Sequence, residues 1–152
     1  MTKDVVIREF TFADADKVSA LIRNTLLISN AADYDYKIIR NLESTFMPEK
    51  IKALSLRREI FVCERNDRIC GTISLENNTI FSFFVAPDRQ MEGVGTRLLE
   101  YVENLARQRG TRRLYMAASI TAVSFYRRQG YVITGSGGDS VFGRTYNMRK
   151  DL

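Results

Sequence analysis

FFVAPDRQMEGVGTRLLEYVENLARQRG, residues 83–110, holds three features that need one explanation. An apolar run ends at Pro87. A polar turn follows with Gly93 and Gly95. An amphipathic stretch then begins at once, with Val94, Leu98, Val102 and Leu105 recurring at helical spacing, and stops at Gly110. Ser, Thr or Asp would cap such a helix better than glycine does. Glycine there implies that the backbone must come close to something, or take a positive φ. A strand, a glycine turn and a helix start together make an anion site, because free N–H groups converge and the helix dipole adds partial positive charge.

The residues around the glycines narrow the anion. A P-loop requires Gly-Lys-Ser/Thr, but Thr96 and Arg97 follow Gly95. A Rossmann turn requires a third glycine where Leu98 stands. Neither nucleotide motif fits.

Outward from this stretch, the chain reads as one mixed α/β domain over residues 1–152. VVIREF is a first strand, and TFAD (Thr11, Asp14) has capping-box spacing. Val18, Leu21, Ile22 and Leu26 mark a first helix. Asp33 caps a second, with Ile38, Ile39, Leu42 and Phe46, and Pro48 opens a short third with Ile51 and Leu54. EIFVCER, RICGTISL and TIFSFFV are three antiparallel strands joined at Asn66-Asp67 and Asn77-Asn78. A two-residue turn at Asn66-Asp67 places Cys63 opposite Cys70. The expectation is two reduced, packed thiols, with a disulfide as the geometric alternative. RRLYMAA is a further strand. SITAVSFYRRQG is a short helix with Ser119 as its N-cap, and YVIT begins a sixth strand. GSGGDSVFG, residues 135–143, is a long glycine-rich loop before a last strand, RTYNMRK. The chain after Val85 must cross over and return as a parallel neighbour.

Composition bounds the chemistry. The chain has 152 residues, 45% of them hydrophobic, a net charge of +5, two cysteines and no histidine. Histidine-based catalysis and nearly every zinc site are excluded, and no metal is expected. The positive balance suits an anionic ligand, or is simply a solvated surface. No apolar window is long enough for a membrane span, and MTKDVVIREF is not a signal peptide, so a cytoplasmic location is expected. No nucleic acid or membrane partner is expected, and the chain is read as a monomer or homodimer.

VAPDRQMEGVGTRLL resembles the acyl-CoA signature of the GNAT superfamily of N-acyltransferases: Gln90, Gly93 and Gly95, five residues after the strand-ending Val85. AVSFYRRQGY resembles a second segment of the same family through Ala122, Tyr126, Gly130 and Tyr131. The resemblance covers residues 61–131 and extends to the first 60 only through element order. It implies an α+β fold: a mixed, mostly antiparallel sheet of six to seven strands, helices on both faces and a splayed central strand pair.

The resemblance also implies roles. Acetyl-CoA is the co-substrate and an amine the acceptor, attacking directly without a covalent enzyme intermediate. The cofactor-binding residues it implies lie first on the strand, Phe83, Phe84 and Val85, with the Val85 N–H as oxyanion donor. The turn adds Arg89, Gln90, Met91, Glu92 and Gly93, and the helix start adds Val94, Gly95, Thr96 and Arg97. Ser119 stands where many relatives have an asparagine that contacts the pantetheine arm. Tyr126 matches the general-acid position and also contacts the cofactor. Thr79 stands where many relatives carry the acidic general base. Glu76 is the nearest carboxylate, and is otherwise a solvated turn residue. Tyr126 has a plain packing alternative beside Phe125.

The leading function is acetyl transfer from acetyl-CoA to a primary amine. A second is an acyl-CoA-binding regulatory domain. A third is a nucleic-acid-binding domain, motivated by RQRGTRR and FYRRQGY. Acceptor choice is expected from the N-terminal helices and the 135–143 loop.

Overall fold

The computed structural model describes residues 5–152, except the side chains of Gln90 and Met91. Seven strands form one sheet in the order β1-β2-β3-β4-β5-β7-β6. They are β1 Val6–Glu9, β2 Glu59–Arg65, β3 Arg68–Glu76, β4 Thr79–Val85, β5 Arg113–Ser119, β6 Val132–Asp139 and β7 Gly143–Asp151. Every neighbouring pair is antiparallel except β4 and β5, the expected product of the crossover.

Asn66 and Asp67 both take positive φ, 52° and 61°, so the β2–β3 hairpin closes on the two-residue turn that its sequence specifies. The strands alternate between two cores. Phe61 and Cys63 face one, with Leu98, Leu99 and Val102 of helix α4 (Val94–Gln108). Ile60 and Val62 face the other, with Val18, Ile22 and Leu26 of α1 (Ala15–Ile28), Ile39 of α2 (Tyr36–Thr45) and Ile51 of α3 (Pro48–Ser55). A fifth helix, α5 (Val123–Arg128), joins the α4 face through Tyr126. Leu98, Leu99 and Val102 are wholly buried. Side chains of this kind contribute roughly 1.5–3 kcal/mol each.

The TFAD capping box forms: the Thr11 N–H donates to Asp14 Oδ2 at 2.8 Å. Arg8 adds two hydrogen bonds to the same carboxylate, which hold the Asp14 pKa down at about 2.

Three expectations need correction. A bulge between Cys63 and Glu64 shifts the register, so Cys63 faces Gly71 rather than Cys70. Both thiols are free and buried, and Cys70 Sγ donates to the Cys63 carbonyl at 3.3 Å. The residue that precedes α2 is Asp35, not Asp33; Asp33 instead accepts from Thr121 Oγ1 at 2.7 Å. The 135–143 segment is not an open loop. β6 runs through its glycines to Asp139, pairing Gly137 with Thr145, and leaves only residues 140–142 to turn. Glycine has little strand preference of its own; pairing to β7 decides the conformation there.

Candidate active site

The site begins where the sheet fails to close. β4 and β5 pair only at Thr79↔Tyr115 and Ile80↔Met116. Beyond Ile80, β4 stays with β3, out to Val85↔Gly71, while β5 stays with β7, out to Ser119↔Thr145. Ser82 takes a φ of 48°, and the β3–β4 register shifts between Thr72 and Ser74. Such a bulge bends its strand. The result is a cleft of about 490 Å³ between the diverging strands, with the β4 edge from Phe81 to Val85 along it.

Helix α4 starts at one end of this cleft. Gly93 occupies its N-cap with a φ of 77°, a left-handed conformation that favours glycine, and no side chain caps the helix. The N–H groups of the first turn lack intrahelical acceptors. Gly95 lines the cleft. A Cβ there would lie 3.4 Å from the Phe125 ring and 3.5 Å from Val85 Cγ2, so a larger side chain would fill the gap between α4, α5 and β4. Gly93 thus supplies the backbone turn, and Gly95 keeps the cleft open.

The side chains around the turn are less simply arranged. Arg89 pairs with Glu92 at 2.8 Å, and Arg65 pairs with the same carboxylate at 3.0 Å. The Arg89 guanidinium lowers the Glu92 pKa. Glu92, expected in the cofactor set, is therefore engaged by two arginines. Val94 is core. Thr96 Oγ1 accepts from Gln129 at 3.4 Å. Arg97 sits one turn into α4, half-buried. The side chains of Gln90 and Met91 lie outside the described residues.

Phe83, Phe84, Val85, Ser119 and Tyr126 all line the cleft. Phe83 packs edge-on against Phe125 and Tyr126, with ring centroids 5.8 and 5.9 Å apart. Tyr131 supports Tyr126 from behind at 5.6 Å and donates its hydroxyl hydrogen bond to the buried Glu103 at 2.8 Å. Lys150 Nζ also donates to Glu103, at 3.0 Å. Tyr126 is therefore held by rings on several sides. Among the described residues its hydroxyl has no hydrogen-bond partner, and burial pushes its pKa up, which keeps the phenol protonated. Ser119 ends β5 and makes no side-chain cap.

The two other catalytic candidates are not brought to the cleft. Glu76 pairs with Thr79 across the β3–β4 turn. Its carboxylate accepts from Arg58 Nε at 2.9 Å, and the Arg58 guanidinium lies 3.7 Å from the centre of the Phe81 ring. Glu76 is an ion-pair partner rather than a solvated turn residue. Thr79 donates to the neighbouring Asn78 Oδ1 at 3.2 Å.

The opposite end of the cleft is organised by Tyr34, which sequence reasoning did not single out. Its hydroxyl accepts from the Ile120 N–H at 2.8 Å and donates to the Arg144 carbonyl at 2.7 Å. Asn41 Nδ2 donates to the Val141 carbonyl at 2.8 Å. Gly143, with a φ of 90°, packs so closely that a Cβ would stand 2.5 Å from the Tyr34 ring. These contacts tie the stretch before and within α2 to the β6–β7 hairpin and to the end of β5. No local pattern announces them, since the partners of Tyr34 lie 86 and 110 residues away.

Among the described residues no cluster of His, Cys, Asp or Glu could hold a metal, and no helix is long and apolar enough to cross a membrane.

Comparison with known proteins agrees with this geometry. A family model described as the acetyltransferase (GNAT) domain matches residues 30–152. No curated protein matches. Among solved structures, a GCN5-related N-acetyltransferase from Rhodopseudomonas palustris is 25% identical, with a TM-score of 0.90 over 97% of this chain and 95% of that one. The PaiA N-acetyltransferase of Thermoplasma acidophilum, solved with coenzyme A, is 16% identical, with a TM-score of 0.81 over 97% and 99%. An aminoglycoside 6'-N-acetyltransferase complexed with coenzyme A is 18% identical, with a TM-score of 0.71 over 96% of each chain. With a family match that begins at Asn30 and runs to the last residue, the chain belongs to the GNAT acetyltransferases.

Proposed function

We propose that the protein transfers an acetyl group from acetyl-CoA to a primary amine by direct attack within a ternary complex. The observation that carries this reading is the splay of β4 from β5, with the Gly93–Gly95 turn at one end and the buried Tyr126 phenol in its wall. Acetyl-CoA supplies an activated acyl carbon and a thiolate leaving group.

The chain's own residues have distinct tasks. The uncapped start of α4 receives the pyrophosphate on backbone N–H groups, as helix N-termini receive anions. The β4 edge beyond Ile80, where β5 no longer pairs, receives the pantetheine amides as an added strand would be received. Phe83 and Phe84 wall the slot, and the Val85 N–H is the oxyanion donor that the family resemblance suggests. Tyr126 donates a hydrogen bond to the departing sulfur. Its raised pKa lies above that of a free thiol, about 8.5, so it stabilises the thiolate first and yields its proton late.

No carboxylate lines the cleft among the described residues, so the acceptor deprotonates to water rather than to a dedicated base. The same feature suits the second reading, an acyl-CoA-binding domain without turnover. Both require binding. Thermal stabilisation should follow acetyl-CoA and coenzyme A but be much smaller with NAD or ATP. Equal shifts for all four would remove the proposal. Thiol release with an amine acceptor then separates the enzyme from the regulatory domain.

A further inference from the structure

We infer that the acceptor is a small monoamine with an apolar or aromatic body, and not a polyamine, an aminoglycoside or a peptide. The inference rests on the transferase reading above and adds the substrate class.

The cleft's charge is the first argument. Of the described residues that line it, only Arg128 carries a charge, and that charge is positive. Arg128 lies on α5 four residues after Ser124, and Phe125 between them packs against Gly95, so this is the cofactor end. The acceptor end is walled by Leu42, Phe46, Phe84, Tyr34 and Phe142, with Ser29, Asn30 and Thr145 as neutral polar groups. A polyamine or an aminoglycoside brings further ammonium groups. Taking an ammonium out of water without a partner is strongly unfavourable.

The nearby carboxylates do not line the cleft: Asp33, bonded by Thr121, and Asp139, which accepts the Val141 and Phe142 N–H groups, stand outside its wall, and Glu76 is neutralised by Arg58. Asp35, just before α2, and Glu43 within it do not line the cleft. The net charge of +5 adds a long-range repulsion toward polycations.

Shape is the second argument. The Tyr34 clamp draws the hairpin, the end of β5 and the start of α2 together across this end. Tyr34, Phe46, Phe84 and Phe142 thus offer aromatic surface to one compact apolar group, which gains by leaving water. The side chains of this wall, mostly ring and alkyl, offer an extended peptide few polar partners.

The chemistry balances for such a substrate. The neutral amine nitrogen attacks the thioester carbonyl carbon, a C–N bond forms and the C–S bond breaks. One proton passes overall from nitrogen to sulfur, giving an amide and a free thiol.

The test uses the full-length protein and acetyl-CoA, with 2-phenylethylamine and its chain-length homologues against spermidine, kanamycin and a tripeptide with a free N-terminus. The expected result is a kcat/KM for the best arylalkyl monoamine at least about tenfold above each of the other three. A smaller ratio, or a preference for any of the three, overturns the inference. Acetyl-CoA stabilisation without transfer to any monoamine overturns it too, whereas no stabilisation by acetyl-CoA removes the transferase reading itself. Phe142→Asp sharpens the charge argument, because Phe142 is exposed on the hairpin turn and a carboxylate there should fold. With acetyl-CoA stabilisation unchanged, the spermidine-to-monoamine ratio should rise by about tenfold. An unmoved ratio overturns the charge argument.

Discussion

One wall of the cleft comes from a single run of chain, residues 85–97, in which a strand end, a turn and a helix start follow one another. The opposite wall is sewn from segments far apart: Tyr34 reaches Ile120 and Arg144 across 86 and 110 residues. The first wall is backbone chemistry, a left-handed glycine and an uncapped helix. The second is side-chain chemistry, one phenol that both accepts and donates. A ligand common to many relatives can be held by a local backbone shape. A ligand peculiar to one protein needs a surface that tertiary folding assembles. The difference implies that the two walls can be broken separately.

The largest separable effect is expected on the cofactor wall. Gly95→Val puts two methyl groups beyond a Cβ already 3.4 Å from Phe125, where they fill the slot. The first turn of α4 tolerates the change, since valine is the better helix former. Stabilisation by acetyl-CoA should vanish while the variant stays folded by circular dichroism. Full retention of the shift would show that the turn is not the cofactor wall.

A smaller effect is expected on the other wall. Tyr34→Phe keeps the ring against Gly143 but leaves the Ile120 N–H and the Arg144 carbonyl without their partner. The two hydrogen bonds are together worth about 2 kcal/mol at most, so KM for the amine should rise by between about threefold and about thirtyfold. Acetyl-CoA stabilisation should not change. An equal loss in both would mean that the two walls are one unit.

The smallest effect concerns Glu76, which belongs to neither wall. Glu76→Gln weakens the contact to Arg58, a part-buried pair worth about 1 kcal/mol, and should change kcat by less than about threefold. A loss of about a hundredfold or more, the scale of general acid–base catalysis, would place Glu76 in the reaction.

The same division explains what was legible in the sequence. The order of elements, the two hairpin turns and the glycine turn are local signals, and the fold they imply is the fold observed. Cys63 was placed one register position out because a bulge is a property of the paired strands. The glycines of β6 concealed a strand that only β7 stabilises. The strand end, the glycine turn and the helix start were readable because their residues are neighbours. Tyr34 was not, because an exposed-looking YDY carries no sign of partners a hundred residues on. Arg58 and Arg65 were equally silent, and they redefine Glu76 and Glu92 from solvated or ligand-facing groups into ion-pair partners.

Tyr126 lines the same cleft, and its hydroxyl tests the account most directly. Tyr126→Phe retains the ring contacts with Phe83, Phe125 and Tyr131 and removes only the donor. With chemistry shown to be rate-limiting, kcat should fall about a hundredfold or more, while acetyl-CoA stabilisation and the amine KM change little, the pattern of an interaction made mainly in the transition state. An unchanged kcat would contradict the account and leave Tyr126 as packing alone.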